Sequence, residues 1–147
     1  MTALLSLIST LHEHSQQLIA CLHEEKNALD NQAYEELAAL APKKQLIIDK
    51  LHSIEQQCID ACSGKDIGQY IKQSGKRSLQ TIWDSTQKLL QDCRKSNEIN
   101  GLIINKHTVI NQDVLTLLTG NLQQAGQTYN AQGNQSNSNS ILNNIEA

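Results

Sequence analysis

LLSLISTLHEHSQQLIACLHEEKNAL, residues 4–29, decides the fold. Within it Leu4, Ile8, Leu11, Ser15, Leu18, Leu22, Glu25 and Leu29 follow one another at alternating steps of four and three. Such spacing lays side chains along one stripe of an α-helix, a seam against which other helices pack. Two seam positions, Ser15 and Glu25, are polar. His12, Glu13, Gln16, Gln17, Glu24 and Lys26 lie off the seam and read as the solvated face.

The same steps continue downstream. Asp30-Asn31 reads as a turn whose side chains cap the next helix. A second helix follows through Ala33, Leu37, Leu40, Lys44, Ile47, Leu51, Ile54, Cys58 and Cys62. Pro42 lies inside this pattern, so the helix either kinks at Ala41-Pro42 or restarts there. Gly64 is the expected C-terminal cap of this helix. A short helix opened by Asp66 and weakened by Gly68 and Gly75 reads as a bridge. The third long helix runs through Leu79, Trp83, Thr86, Leu90, Cys93, Asn97, Asn100, Ile104, His107, Asn111, Val114 and Leu118. Asn100-Gly101 is ordinarily a turn signal, yet the seam keeps its phase across it, which predicts one continuous helix of about 65 Å.

The expected fold is therefore all-α. It is an antiparallel three-helix, coiled-coil-like bundle with a long third helix and a flexible C-terminal tail. The expected helices are about 2–29, 32–62 and 76–119, with the short one about 66–73, and the bundle occupies 1–120. After Gly120 the sequence turns to Asn, Gln, Ser and Gly, and no charged residue occurs from Val114 to Ile145. Residues 121–147 read as a polar tether that cannot offset its own chain entropy. It carries an apolar tip, Ile141, Leu142 and Ile145.

Composition narrows the function. Aromatics are 3% with no Phe, so Leu and Ile must build narrow seams and not a thick core. A net charge of -3 gives no basic footprint for nucleic acid. No apolar run approaches the roughly 20 residues of a membrane span, and residues 1–14 lack the basic start of a signal peptide. A cytoplasmic location is expected. Cys58 and Cys62 share a helical face, but without a second pair they read as buried apolar residues and not as a zinc site. No nucleophile motif, phosphate loop or paired acids appear. The expectation is a protein that is not an enzyme and needs no metal or cofactor.

Two readings of Cys93, Asn97, Asn100, His107 and Asn111 stay open. They form a register-setting polar layer, or they line a surface awaiting a partner. The third helix exceeds the first two in length, so part of it must protrude or be covered by another chain. Leu102, Ile103, Ile110, Val114, Leu117 and Leu118, with Val109 and Leu115 beside them, form the candidate interaction surface, and the tip residues Ile141, Leu142 and Ile145 are grouped with it.

These residues resemble the FlgN family of flagellar export chaperones. The likeness rests on the leucine-rich first helix, on Leu37, Leu40 and Leu51 about Lys43-Lys44, and on Trp83. More specific are Cys93, Asn97, Asn100 and Gly101, similar to the family's C-x-x-x-N-x-x-N-G pattern, and Tyr129 with Gly133, similar to its Y-x-x-x-G element. It spans most of residues 1–133. The resemblance implies a cytoplasmic type III export chaperone, transiently at the export apparatus. Its implied partners are the hook–filament junction proteins FlgK and FlgL, the gate protein FlhA and the escort FliJ. It places substrate binding in the C-terminal third and gate docking at Tyr129 and Gly133. The competing class is a structural coiled-coil homo-oligomer or adaptor with no export role.

Overall fold

A computed structural model gives the structure of the protein and describes residues 2–119, with side chains described over 3–109. Tyr129, Gly133, Ile141, Leu142 and Ile145 lie outside the described residues, as do the side chains of Ile110, Val114, Leu117 and Leu118. The regular elements are α1 (Thr2–Asp30), α2 (Tyr34–Ala61), α3 (Ile67–Ser74) and α4 (Arg77–Thr119). Among the described residues there is no strand.

All eight seam positions of α1 are buried, the polar pair included. Burying one Leu or Ile this fully stabilises by about 1.5–3 kcal/mol. Cys21 and Ala28 are buried as well, so the stripe is wider than one seam. The width has a cause: α1 packs along both α2 and α4. It therefore needs two adjacent apolar lines. His12 corrects the sequence reading, which put it on the solvated face. It is half-buried, and its Nδ1 lies 3.2 Å from Thr86 Oγ1 of α4. The Thr86 hydroxyl donates to Ile82 O at 2.7 Å, so the imidazole N–H is left as the donor to Oγ1.

Rungs between helices fix their directions. His12 meets Thr86 and Leu22 O meets Asn100, so α1 and α4 ascend together. Glu25 meets Lys44, while Leu11 and Ile59 share one cleft, so α2 descends against α1.

The junctions differ from the sequence expectation. Asp30-Asn31 does not cap α2: α1 runs through Asp30, and Ala33 at the N-cap makes no side-chain bond. Gln32 instead takes a left-handed conformation, φ 54°. Ala33 N–H then reaches Ala28 O at 2.8 Å and Gln32 N–H reaches Leu29 O at 3.2 Å. This crossed pair is a Schellman motif, which satisfies carbonyls the helix end leaves open. The end of α2 repeats it. Ser63 (φ 55°) takes the first left-handed position and Gly64 (φ 75°) follows it, also left-handed, with Gly64 N–H bonded to Ile59 O at 3.0 Å.

Pro42 does not restart the helix, since α2 is continuous from Tyr34 to Ala61. The ring deprives Ala38 O of its intrahelical donor. Both residues are exposed, so water can serve that carbonyl. Asp66 caps α3 through Oδ1, which accepts from Gln69 N–H at 2.9 Å. Gly68 is there for space: a Cβ would stand 3.3 Å from Trp83 Nε1. Its absence lets α3 close on the indole.

Helix α4 passes through Asn100-Gly101 without a break. Packing overrides the turn signal because the Asn100 amide is held by α1. Gly101 has nothing within 4 Å of an added Cβ. Gly101→Ala is therefore expected to raise stability by about 0.5–1 kcal/mol, the ordinary helix-interior difference. Urea denaturation checks this, and a lowered midpoint would mean that the glycine serves a need of the helix itself.

Candidate protein-binding surface

The inner line of α4 is Leu79, Trp83, Thr86, Leu90, Cys93, Asn97 and Asn100, all buried. Its last members join a polar rung. Lys44 Nζ lies 3.3 Å from both carboxylate oxygens of Glu25 and donates to Asn97 Oδ1 at 2.6 Å. Asn100 Nδ2 donates to Glu25 Oε1 at 2.9 Å and to Leu22 O at 3.0 Å. One rung thus ties α1, α2 and α4 together. Of the two readings open for this constellation, the structure gives Cys93, Asn97 and Asn100 the register-setting one. Polar groups that bond only in one alignment penalise every slipped alignment. His107 is half-buried further along, and the side chain of Asn111 lies outside the described residues.

Above the rung α4 runs out of neighbours. Asn100 is level with Glu25, and α1 ends at Asp30. Helical rise then leaves about fourteen residues of α4, roughly 21 Å, beyond the end of α1.

A second stripe, apolar except for Lys106, starts lower, level with the rung. Ile99, Leu102, Lys106 and Val109 follow at steps of three and four, roughly 160° around the helix from the inner line. Leu102 is 68% exposed, Val109 48% and Ile99 41%. Isolated exposed apolar residues need no explanation; a spaced row of them along one helix face is a candidate interaction face. Of the sequence candidates with described side chains, Leu102 and Val109 lie on this stripe. Ile103 is half-buried between the two lines. Ile99 and Lys106 were missed because the reading followed the inner seam. The signal that finds them is a second set of three-and-four steps starting at Ile99.

Another concavity lies at the opposite end. A cleft of about 440 Å³ is lined by Leu11, Ile59, Trp83 and Leu90, with Glu55 and Asp66 among its polar members. Among the described residues no three His, Cys, Asp or Glu gather as metal ligands.

All four cysteines are free and buried. Burial pushes the thiol of Cys93 up from its ordinary 9.0 to about 12, and that of Cys58 up to about 11. Thiolate is the reactive form, so native protein is expected to resist a thiol reagent at pH 8 and to release four thiols on unfolding. The pH dependence has a definite sign. Below pH 9 the thiols are protonated in both states. Above it the unfolded chain loses protons that the folded chain keeps, so stability falls as pH rises from 9 toward 12. Denaturant titrations at pH 8 and 10.5 check this; equal midpoints would refute it.

An all-helical protein with an exposed apolar stripe on its longest helix has the form of one that can hold another chain along a helix face. The model of the family described as FlgN protein matches residues 1–137. The chain belongs to the FlgN family, a family of flagellar export chaperones. No curated protein and no solved structure matches it. Among the described residues, no helix is long and apolar enough to cross a membrane.

Proposed function

We propose that this chaperone binds the hook–filament junction proteins FlgK and FlgL in the cytoplasm and brings them to the export gate. Its architecture is read as a three-helix bundle, with α2 running against α1 and α4. The observation that carries the proposal is the exposed stripe on the outer face of α4, which starts beside the rung at Ile99 and Leu102 and runs to Val109 on the overhang. An amphipathic helix at a terminus of the substrate would lie along that stripe, and a second contact would fall on the inner line past the end of α1, where the spacing puts Val114 and Leu118, with Ile110 and Leu117 between the two lines. Covering it removes apolar surface from water on both partners. No bond is made or broken, so the role asks for no catalysis and no cofactor. By the motif match, Tyr129 and Gly133 dock on FlhA, and FliJ is the escort.

Hydrogen exchange of the full chain with a FlgK C-terminal peptide tests the assignment. Protection is expected from residue 99 onward. Protection confined to residues 1–60 would overturn it.

The same stripe fits a second reading, a homo-oligomer in which two copies cover each other. Light scattering separates the two, since an obligate tetramer would favour self-assembly.

A further inference from the structure

We propose that Ile141, Leu142 and Ile145 of the same chain cover the outer stripe of α4 when no partner is bound. The proposal deepens the reading above by naming what occupies that surface first, and it rests on that reading only for its effect on substrate affinity.

Geometry supports it. The stripe is described: Ile99, Leu102 and Val109 are exposed, on a face that neither α1 nor α2 covers. The tip is its counterpart in size. Ile141, Leu142 and Ile145 are spaced i, i+1 and i+4, so that one helical turn formed on docking would put them on one face and cover two or three side chains.

The length of chain between them favours this site. From Thr119 back to Val109 is about 15 Å along the helix, and back to Leu102 about 26 Å. The segment from Gly120 to Ser140 is rich in Asn, Gln, Ser and Gly. A linker of that length and composition has a root-mean-square span of about 25 Å. Effective concentration peaks where linker span and site separation match. The far end of α4 is a poor match. Ser85 lies about 51 Å back from Thr119, twice that span.

Charge agrees. Lys106 sits on the stripe between Leu102 and Val109, exposed and with no ion pair among the described residues. Glu146, directly after Ile145, is the one charged side chain beyond Asp113. A tip docked on the stripe brings the two opposite charges to the same region.

Cross-linking of the full chain tests the placement without any substrate. Leu102→Cys is combined with Leu142→Cys, and the control pairs Leu142→Cys with Ile104→Cys, exposed at nearly the same height but about 160° around α4 from Leu102. The native thiols are buried and stay out of the reaction. Mild oxidation is expected to close the first pair about tenfold faster than the control, at a rate unchanged by dilution. Equal rates would overturn the proposal. So would a rate that falls on dilution, because the occupant would then be a second copy. Val109→Cys in place of Leu102→Cys repeats the test should the first variant perturb the helix. Replacing Ile141, Leu142 and Ile145 together by Ser is then expected to tighten binding of the FlgK peptide several-fold, since a competing cover has gone. Weaker binding would make the tip part of the substrate site and overturn its role as a cover. A chain that cross-links as expected but binds no peptide would instead sink the proposed function and leave the placement standing.

Discussion

Leu102→Asp is expected to weaken substrate binding at least about thirtyfold while leaving the fold as stable as before. The residue is 68% exposed and touches no core partner. A charge placed there stays in water in the free protein, so the cost to folding is within about 0.5 kcal/mol. In a complex the same carboxylate would be sealed beneath an apolar helix with no donor provided. Losses at a central, desolvated position reach about 2 kcal/mol or more, which is the thirtyfold. Isothermal titration with a FlgK peptide, set beside a urea curve, reads both quantities. Unchanged affinity would remove the outer stripe from the substrate site. A collapse of stability would show that the residue belongs to the core.

Lys44→Met is expected to cost about 3 kcal/mol of stability and roughly 10 °C of Tm. The side chains of Lys44 and Glu25 are 14% and 8% exposed, so the pair is largely out of water. Removing the cation strands the carboxylate beside a single amide donor, Asn100 Nδ2. The stranded charge is the source of the cost, and the Coulombic attraction of the intact pair is not. It follows that Glu25→Leu added to Lys44→Met recovers most of the loss. The rung is also imperfect, because Asn100 Oδ1 is buried and meets no donor among the described residues. An apolar double variant therefore gives up little. Thermal unfolding of the three proteins checks this. A Lys44→Met protein within 0.5 kcal/mol of the parent would mean that the rung is solvated and contributes nothing.

The α1 seam was fully legible, from Leu4 to Leu29, because helical period and burial are one statement there. Even Ser15 and Glu25 were rightly placed. A buried Ser can donate to Leu11 O at 2.7 Å within its own helix, and a buried Glu is met by Lys44 of α2 and the Asn100 amide of α4. The continuity of α4 across Asn100-Gly101 was legible for the same reason: phase outlasts a local turn signal. His12 was not, because its burial depends on α1 having a neighbour on each side. Spacing in one helix cannot report that. Nor were the left-handed caps at Gln32 and Ser63, where the Schellman bonds outweigh the residues' own preference. Leu102 of the outer stripe was found, but Ile99 was hidden beside the stronger inner line. Ile103 was placed on the surface and proves half-buried between the lines.

The central position of α1 also sets a timetable. Its rung to α2 closes a loop of 19 residues, Glu25 to Lys44, whereas its rungs to α4 close loops of 74 to 78. Short loops close first and at lower entropic cost. The α1–α2 hairpin can therefore zip up as it emerges during synthesis, burying half of the stripe. The other half, with Leu22 O and the Glu25 carboxylate waiting, stays open until residue 100 has been made. The helix on which the substrate surface is proposed is the last to dock, so on that reading a newborn chain has no grip to offer before its own body is finished.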